Sequence, residues 1–148
     1  MRAAIQRVLE ASVDVEGTRI SHIARGLLVF LGVTTTDGTG EADWMVDKIL
    51  GLRIFENDAG KLDACVQDIG GGVLVVSQFT LYADTRKGRR PSFTNAAPPA
   101  HAEPLYRRVV DAVAARGLPT GAGQFGAHML VRLINDGPLT IMLDTAAA

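Results

Sequence analysis

An α+β fold is what this chain predicts: a curved, largely antiparallel, barrel-like sheet with two long amphipathic helices packed outside it. Three observations carry that expectation. Short segments rich in β-branched residues open the chain and recur along it, only two stretches show the helical period, and strands do not alternate regularly with helices as a doubly wound parallel sheet requires. With 148 residues there is enough chain for one core, so a single domain is expected over residues 1–145, followed by the short tail Ala146-Ala147-Ala148.

The elements follow from local pattern. Between Ala3 and Ile23, Ile5, Val8, Val13, Val15 and Ile20 recur in rough alternation around the turn pair Glu16-Gly17, which predicts a hairpin; a third strand spans Gly26 to Val33. Ala42, Met45, Val46, Ile49 and Leu50 fall at i, i+3, i+4, i+7 and i+8, the stripe of a helix that begins at Asp37 or Thr39. Asn57-Asp58-Ala59-Gly60 has turn chemistry and predicts a hairpin between Arg53-Ile54-Phe55 and Lys61-Leu62. The unbroken apolar run Val73-Leu74-Val75-Val76 predicts a strand buried on both faces. Ala102, Leu105, Tyr106, Val109, Val110 and Val113 repeat the helical stripe until Gly117 and Pro119 end it. Two closing strands, about Ala127 to Leu133 and Leu139 to Leu143, flank Asn135-Asp136-Gly137-Pro138.

Composition narrows the function. No apolar run approaches the ~20 residues of a membrane span, and the N-terminus meets polar Gln6 and Arg7 too soon for a secretory signal. A cytoplasmic protein with no membrane partner is expected. Cys65 is alone, which excludes an internal disulfide and a cysteine zinc cluster. A formal charge of −1 argues against holding nucleic acid by global charge. Arg86, Lys87, Arg89 and Arg90 nevertheless cluster just after Ser77, either as a solvated loop or as a local grip on a phosphate backbone beside a reaction centre.

Gly70-Gly71-Gly72 precedes a strand rather than opening a helix, which excludes a phosphate loop and leaves a structural turn. Ser77-Gln78-Phe79-Thr80 ends a buried strand in polar groups at the rim of the core, where pockets form; its plain alternative is a strand end that satisfies nearby backbone. A hydroxyl nucleophile there needs a base, and His22, His101 and His128 stand in no recognisable triad spacing. Gly137-Pro138 reads as a turn.

Ile5-Gln6-Arg7-Val8, Ser77-Gln78-Phe79-Thr80-Leu81 and Asn135-Asp136-Gly137-Pro138-Leu139-Thr140, in this order, resemble the D-aminoacyl-tRNA deacylase family, over Met1 to about Thr145. The resemblance implies a metal-free, cofactor-free hydrolase that releases D-amino acids, and glycine, from tRNA. It implies that Ser77, Gln78, Phe79 and Thr80 wall the active site, with amides near Phe79 and Thr80 aimed at the ester carbonyl. It also implies a cis Gly137-Pro138 bond that enters the partner's pocket in a homodimer and judges chirality with backbone carbonyls. Arg7 braces that loop in this reading. Phe125 and Met129 stand at the end that takes the 3′-terminal adenosine, and Pro91-Ser92-Phe93 shapes the mouth. Thr80 has been cast as a nucleophile in the family; with no evident base, water assisted by the adenosine 2′-hydroxyl is the expected attacking group. The competing readings are a non-catalytic RNA-binding module gripping phosphates through Arg86 to Arg90, and a small-molecule esterase with a Thr80 or Ser77 nucleophile.

Overall fold

The computed structural model describes residues 1–148. Its strands are β1 (Arg2–Val15), β2 (Thr18–Ile23), β3 (Gly26–Gly32), β4 (Phe55–Glu56), β5 (Leu62–Ala64), β6 (Gly72–Ser77), β7 (Thr120–Ala122) and β8 (Leu130–Asp144). Its helices are α1 (Thr39–Gly51) and α2 (Pro99–Ala114), with single 3₁₀ turns at Phe79–Tyr82 and Thr145–Ala147. The main sheet runs β2-β1-β3-β6-β7, and β8 pairs with β1. Pairings of β1 with β2, β3 and β8 are antiparallel; those of β3 with β6 and of β6 with β7 are parallel. The sheet is therefore mixed and barrel-like. Parallel neighbours need long crossovers, and α1 with the small β4-β5 hairpin makes the first while α2 makes the second.

The period-2 alternation of strands divides the core. Val73 and Val75 of β6, Leu27, Val29 and Leu31 of β3, and Ile5 of β1 face the helices and pack with Met45, Ile49, Val109 and Val113. Leu74, Val76, Leu28, Val8 and Val13 point to the opposite face and form a second, smaller cluster. The run Val73–Val76 is buried throughout, as a strand covered on both faces must be. Each such side chain contributes about 1.5–3 kcal/mol. Where β3 and β6 meet, a Cβ on Gly26 would lie 1.9 Å from the Gly72 carbonyl oxygen. Gly26, the first residue of β3, thus permits a close backbone approach to Gly72, the first of β6.

One expectation narrows and another changes. Of the two starts the sequence allows for α1, Thr39 is the one observed; the Asp37 carboxylate is instead buried and accepts from the Met1 ammonium at 2.5 Å, while its backbone carbonyl lies 2.8 Å from His101 Nε2. The expected pair of closing strands is one continuous β8. Its ladder with β1 slips between Gln6 and Val8, which face Thr140 and Asn135, so Asp136–Leu139 bulge opposite Arg7. Asn135 Nδ2 holds the bulge by donating to the carbonyls of Arg7 and Leu139, both at 3.0 Å. A turn signal inside a strand is accommodated this way because a side-chain amide replaces the missing ladder bonds.

Candidate active site

The site begins where β6 stops. Gln78 N donates to Leu31 O at 2.8 Å as the last tie to β3, and the chain then turns through Phe79–Tyr82. The first amides of a helical turn lack intrahelical partners, and those of Phe79 and Thr80 open this one. Tyr82 anchors its far end in the core. A sharp exit from a rigid, doubly buried strand therefore sets polar groups on a fixed rim.

Beside that rim lies a cleft of about 620 Å³. Ser77, Gln78 and Phe79 form one wall, Phe93 and Ala96–Ala97 a second, and Phe125, Gly126, His128 and Met129 a third. The lining is mostly apolar, with a few polar groups, as in sites that bind small organic groups. Phe79 is 55% exposed and meets Phe93 edge-to-face, ring centres 5.1 Å apart, across the mouth. Phe125 is held from behind by Tyr106, whose hydroxyl donates to Val75 O at 2.9 Å. Burial pushes that phenol up to about 12.

Most of the residues singled out in the sequence meet here. Ser77, Gln78, Phe79, Phe125 and Met129 line the cleft, and Thr80 stands beside it with its hydroxyl accepting from Gln78 Nε2. His128, expected inside a strand, lies in the loop before β8 and lines the same cleft. Nothing in its spacing marked it out, since the loop between β7 and β8 folds it in. His22 sits on β2 and His101 is engaged with Asp37, so neither is at the cleft.

Gly137 and Pro138 do not line the cleft of their own chain. Their peptide bond is cis, and both residues are exposed in the β8 bulge. Arg7 is buried beneath them, its Nε 3.1 Å from the Asp136 carboxylate and its guanidinium donating to Ile54 O at 2.6 Å. A Cβ on Gly137 would come within 3.1 Å of that guanidinium. The basic residues Arg86, Lys87, Arg89 and Arg90 project from an exposed loop between Tyr82 and Phe93.

Clusters of His, Cys, Asp and Glu able to hold a metal ion are absent, and no helix is long and apolar enough to cross a membrane. The family model for D-Tyr-tRNA(Tyr) deacylase matches residues 4–144. Over 146 residues the chain is 54% identical to the D-aminoacyl-tRNA deacylase of Thermotoga petrophila, covering 99% of this chain and 98% of that one. It is 56% identical to that of Roseiflexus castenholzii, covering 99% and 93%. Among solved structures it superposes on the c-Myc DNA unwinding element binding protein with a TM-score of 0.92 and 42% identity, covering 98% of this chain and 99% of that one. A probable eukaryotic D-amino acid tRNA deacylase shares the fold at TM-score 0.83 and 19% identity, over 96% and 97% of the two chains. An α+β chain matched to one family model over nearly its whole length, and more than half identical to both of these D-aminoacyl-tRNA deacylases, belongs to the D-aminoacyl-tRNA deacylases, hydrolases acting on aminoacyl-tRNA.

Proposed function

We propose that the cleft beside β6 takes the terminal adenosine and aminoacyl ester of D-aminoacyl-tRNA, and of glycyl-tRNA, and that water attacks the ester carbonyl. The observation that carries this reading is the engagement of Thr80, the hydroxyl cast as a nucleophile in the family. Thr80 Oγ1 accepts from Gln78 Nε2, and no imidazole or carboxylate hydrogen-bonds to it. A hydroxyl without a base is a poor nucleophile. Thr80 then orients the substrate, and the opening amides at Phe79 and Thr80 receive the developing oxyanion, where donors fixed in advance lower the barrier most. The adenosine 2′-hydroxyl assists the attacking water. Phe125 and Met129 supply apolar contact for the adenosine.

Chirality is judged by Gly137 and Pro138 of a second copy. Three features support a homodimer with composite sites: the dipeptide is exposed and does not line its own cleft, the outer edge of β8 has no strand partner, and Leu130, Ile134 and Met142 stand exposed along it. A glycine at that position leaves room for the α-ammonium, and backbone carbonyls there crowd the side chain of an L-residue. The enzyme acts in the cytoplasm, where aminoacyl-tRNA is found.

The test is incubation of the purified protein with D- and L-tyrosyl-tRNA, following loss of the ester. Release from the D-ester alone supports the reading. The esterase alternative has one observation in its favour, the presence of His128 on the same cleft; it requires a covalent acyl-enzyme and indifference to tRNA. The RNA-binding module requires that neither ester turn over.

A further inference from the structure

Most basic side chains of this protein are engaged. Arg2, Arg7, Arg19, Arg53, Arg107, Arg108, Arg116 and Arg132 each form an ion pair with an acidic residue, and Arg25 and Lys48 lie over the rings of Phe55 and Trp44. Outside one loop, only Lys61 lacks such a partner. That loop carries Lys87, Arg89 and Arg90, all exposed and all without a carboxylate.

The same loop is closed and braced. Asp84 and Ser92 exchange both backbone hydrogen bonds, at 2.8 and 2.9 Å, and Gly88 turns the tip with φ +72. Asp84 also grips Arg86 from both carboxylate oxygens, Oδ1 accepting from the backbone N–H at 3.0 Å and from Nε at 2.9 Å, and Oδ2 from the guanidinium at 2.6 Å. Arg86 holds this carboxyl far below the usual carboxylate range. Arg86, grouped with its neighbours in the sequence, thus differs from them: its charge is spent inside the loop. Both feet of the loop stand on the cleft, since Ser92 precedes Phe93 at the mouth and Asp84 follows the turn that carries Phe79.

Like charges held together repel unless an anion takes them up. A brace that fixes them in one shape saves the ordering cost on binding. We propose that Asp84 and Arg86 are positioning residues that hold Lys87, Arg89 and Arg90 as a clamp on phosphodiester groups next to the 3′-terminal nucleotide. This rests on the aminoacyl-tRNA reading above. The cations lie two to five residues from Ser92, so at about 3.3–3.6 Å per residue they reach phosphates near the mouth rather than distant parts of the tRNA.

The experiment compares D-tyrosyl-tRNA with the D-tyrosyl 3′-ester of adenosine, which keeps the ester and the nucleoside but has no phosphate. For the native protein, log kcat/KM on the tRNA should fall with log salt with a slope of about −2 to −3, and the minimal ester should show none. Lys87→Ala, Arg89→Ala and Arg90→Ala should each remove about one from that slope by raising KM rather than lowering kcat. Asp84→Asn is the discriminating variant, because it leaves every cation in place and makes the loop more positive. The clamp predicts a KM for tRNA raised about threefold or more, with the ratio of tRNA to minimal-ester kcat/KM falling accordingly. A lower KM in Asp84→Asn would show that bulk charge alone operates, and would overturn the positioning role. Unchanged slopes in the lysine and arginine variants, with tRNA still hydrolysed, would overturn the clamp and leave the deacylase reading standing. Failure of the native protein on both substrates would overturn that reading and the clamp together.

Discussion

Gln78 Nε2 donates to Thr80 Oγ1 across the single turn that follows β6, so the hydroxyl best placed by sequence to attack an ester is held by an amide instead of a base. An amide donor cannot take the proton that a nucleophilic hydroxyl must lose. Thr80→Ala should therefore retain measurable deacylation, falling about tenfold, where loss of a true nucleophile costs several orders of magnitude. Single-turnover kinetics with mass spectrometry of the quenched enzyme checks this. An acyl group trapped on Thr80 would reverse the assignment.

The Met1 ammonium is buried against the Asp37 carboxylate, and it also donates to Thr145 Oγ1. This cluster ties the start of β1 to the segment before α1 and to the end of the chain. Removing one member of a buried pair strands the other charge, which costs about 3–5 kcal/mol. Asp37→Ala should lose stability in that range in denaturant unfolding. A change within about 0.5 kcal/mol, the size of an ordinary surface substitution, would mean the pair contributes little.

Tyr106 is the support of the cleft's third wall. Its phenol, pushed up to about 12 by burial, is raised above the ordinary value near 10. A raised folded value means that the contribution is fully present below about pH 10 and is lost as pH rises through about 12. Tyr106→Phe should cost about 1 kcal/mol at neutral pH and should flatten the alkaline fall in stability over that window. An identical alkaline profile in the variant would place the titrating group elsewhere.

Much of this was legible in the sequence, and the failures have physical causes. The stripes Ala42–Leu50 and Ala102–Val113 and the run Val73–Val76 report burial directly, because burial imposes period and composition. The bulge in β8 was hidden, since Gly137-Pro138 carries the same local signal whether the chain turns or continues; the Asn135 amide that bridges it works through tertiary contacts. The start of α1 stayed open between Asp37 and Thr39 because what occupies Asp37, the Met1 ammonium, is a tertiary partner that local pattern does not show. His128 reached the cleft through a loop conformation that no periodicity encodes. In the basic run, charge was visible but its division was not: only the folded loop separates Arg86, gripped by Asp84, from Lys87, Arg89 and Arg90.

If Gly137 and Pro138 serve a partner's cleft, two defective chains should complement each other. A Ser77→Ala, Gln78→Ala double variant and a Gly137→Ala variant, the latter strained by φ +130 and by Arg7 at 3.1 Å, should each be inactive as homodimers. Mixed and allowed to exchange subunits, they should regain activity through one intact site per heterodimer. Demonstrated exchange without activity would contradict the composite site.

In the proposed reading the enzyme rejects an L side chain rather than selecting a D side chain. A block at Cβ is felt by a single methyl group, and glycine escapes it. The most direct measurement compares D-alanyl-, glycyl- and L-alanyl-tRNA at one enzyme concentration. A filter acting by rejection gives hydrolysis of the first two and sparing of the third; glycyl-tRNA spared alongside L-alanyl-tRNA, or all three cleaved alike, would contradict it.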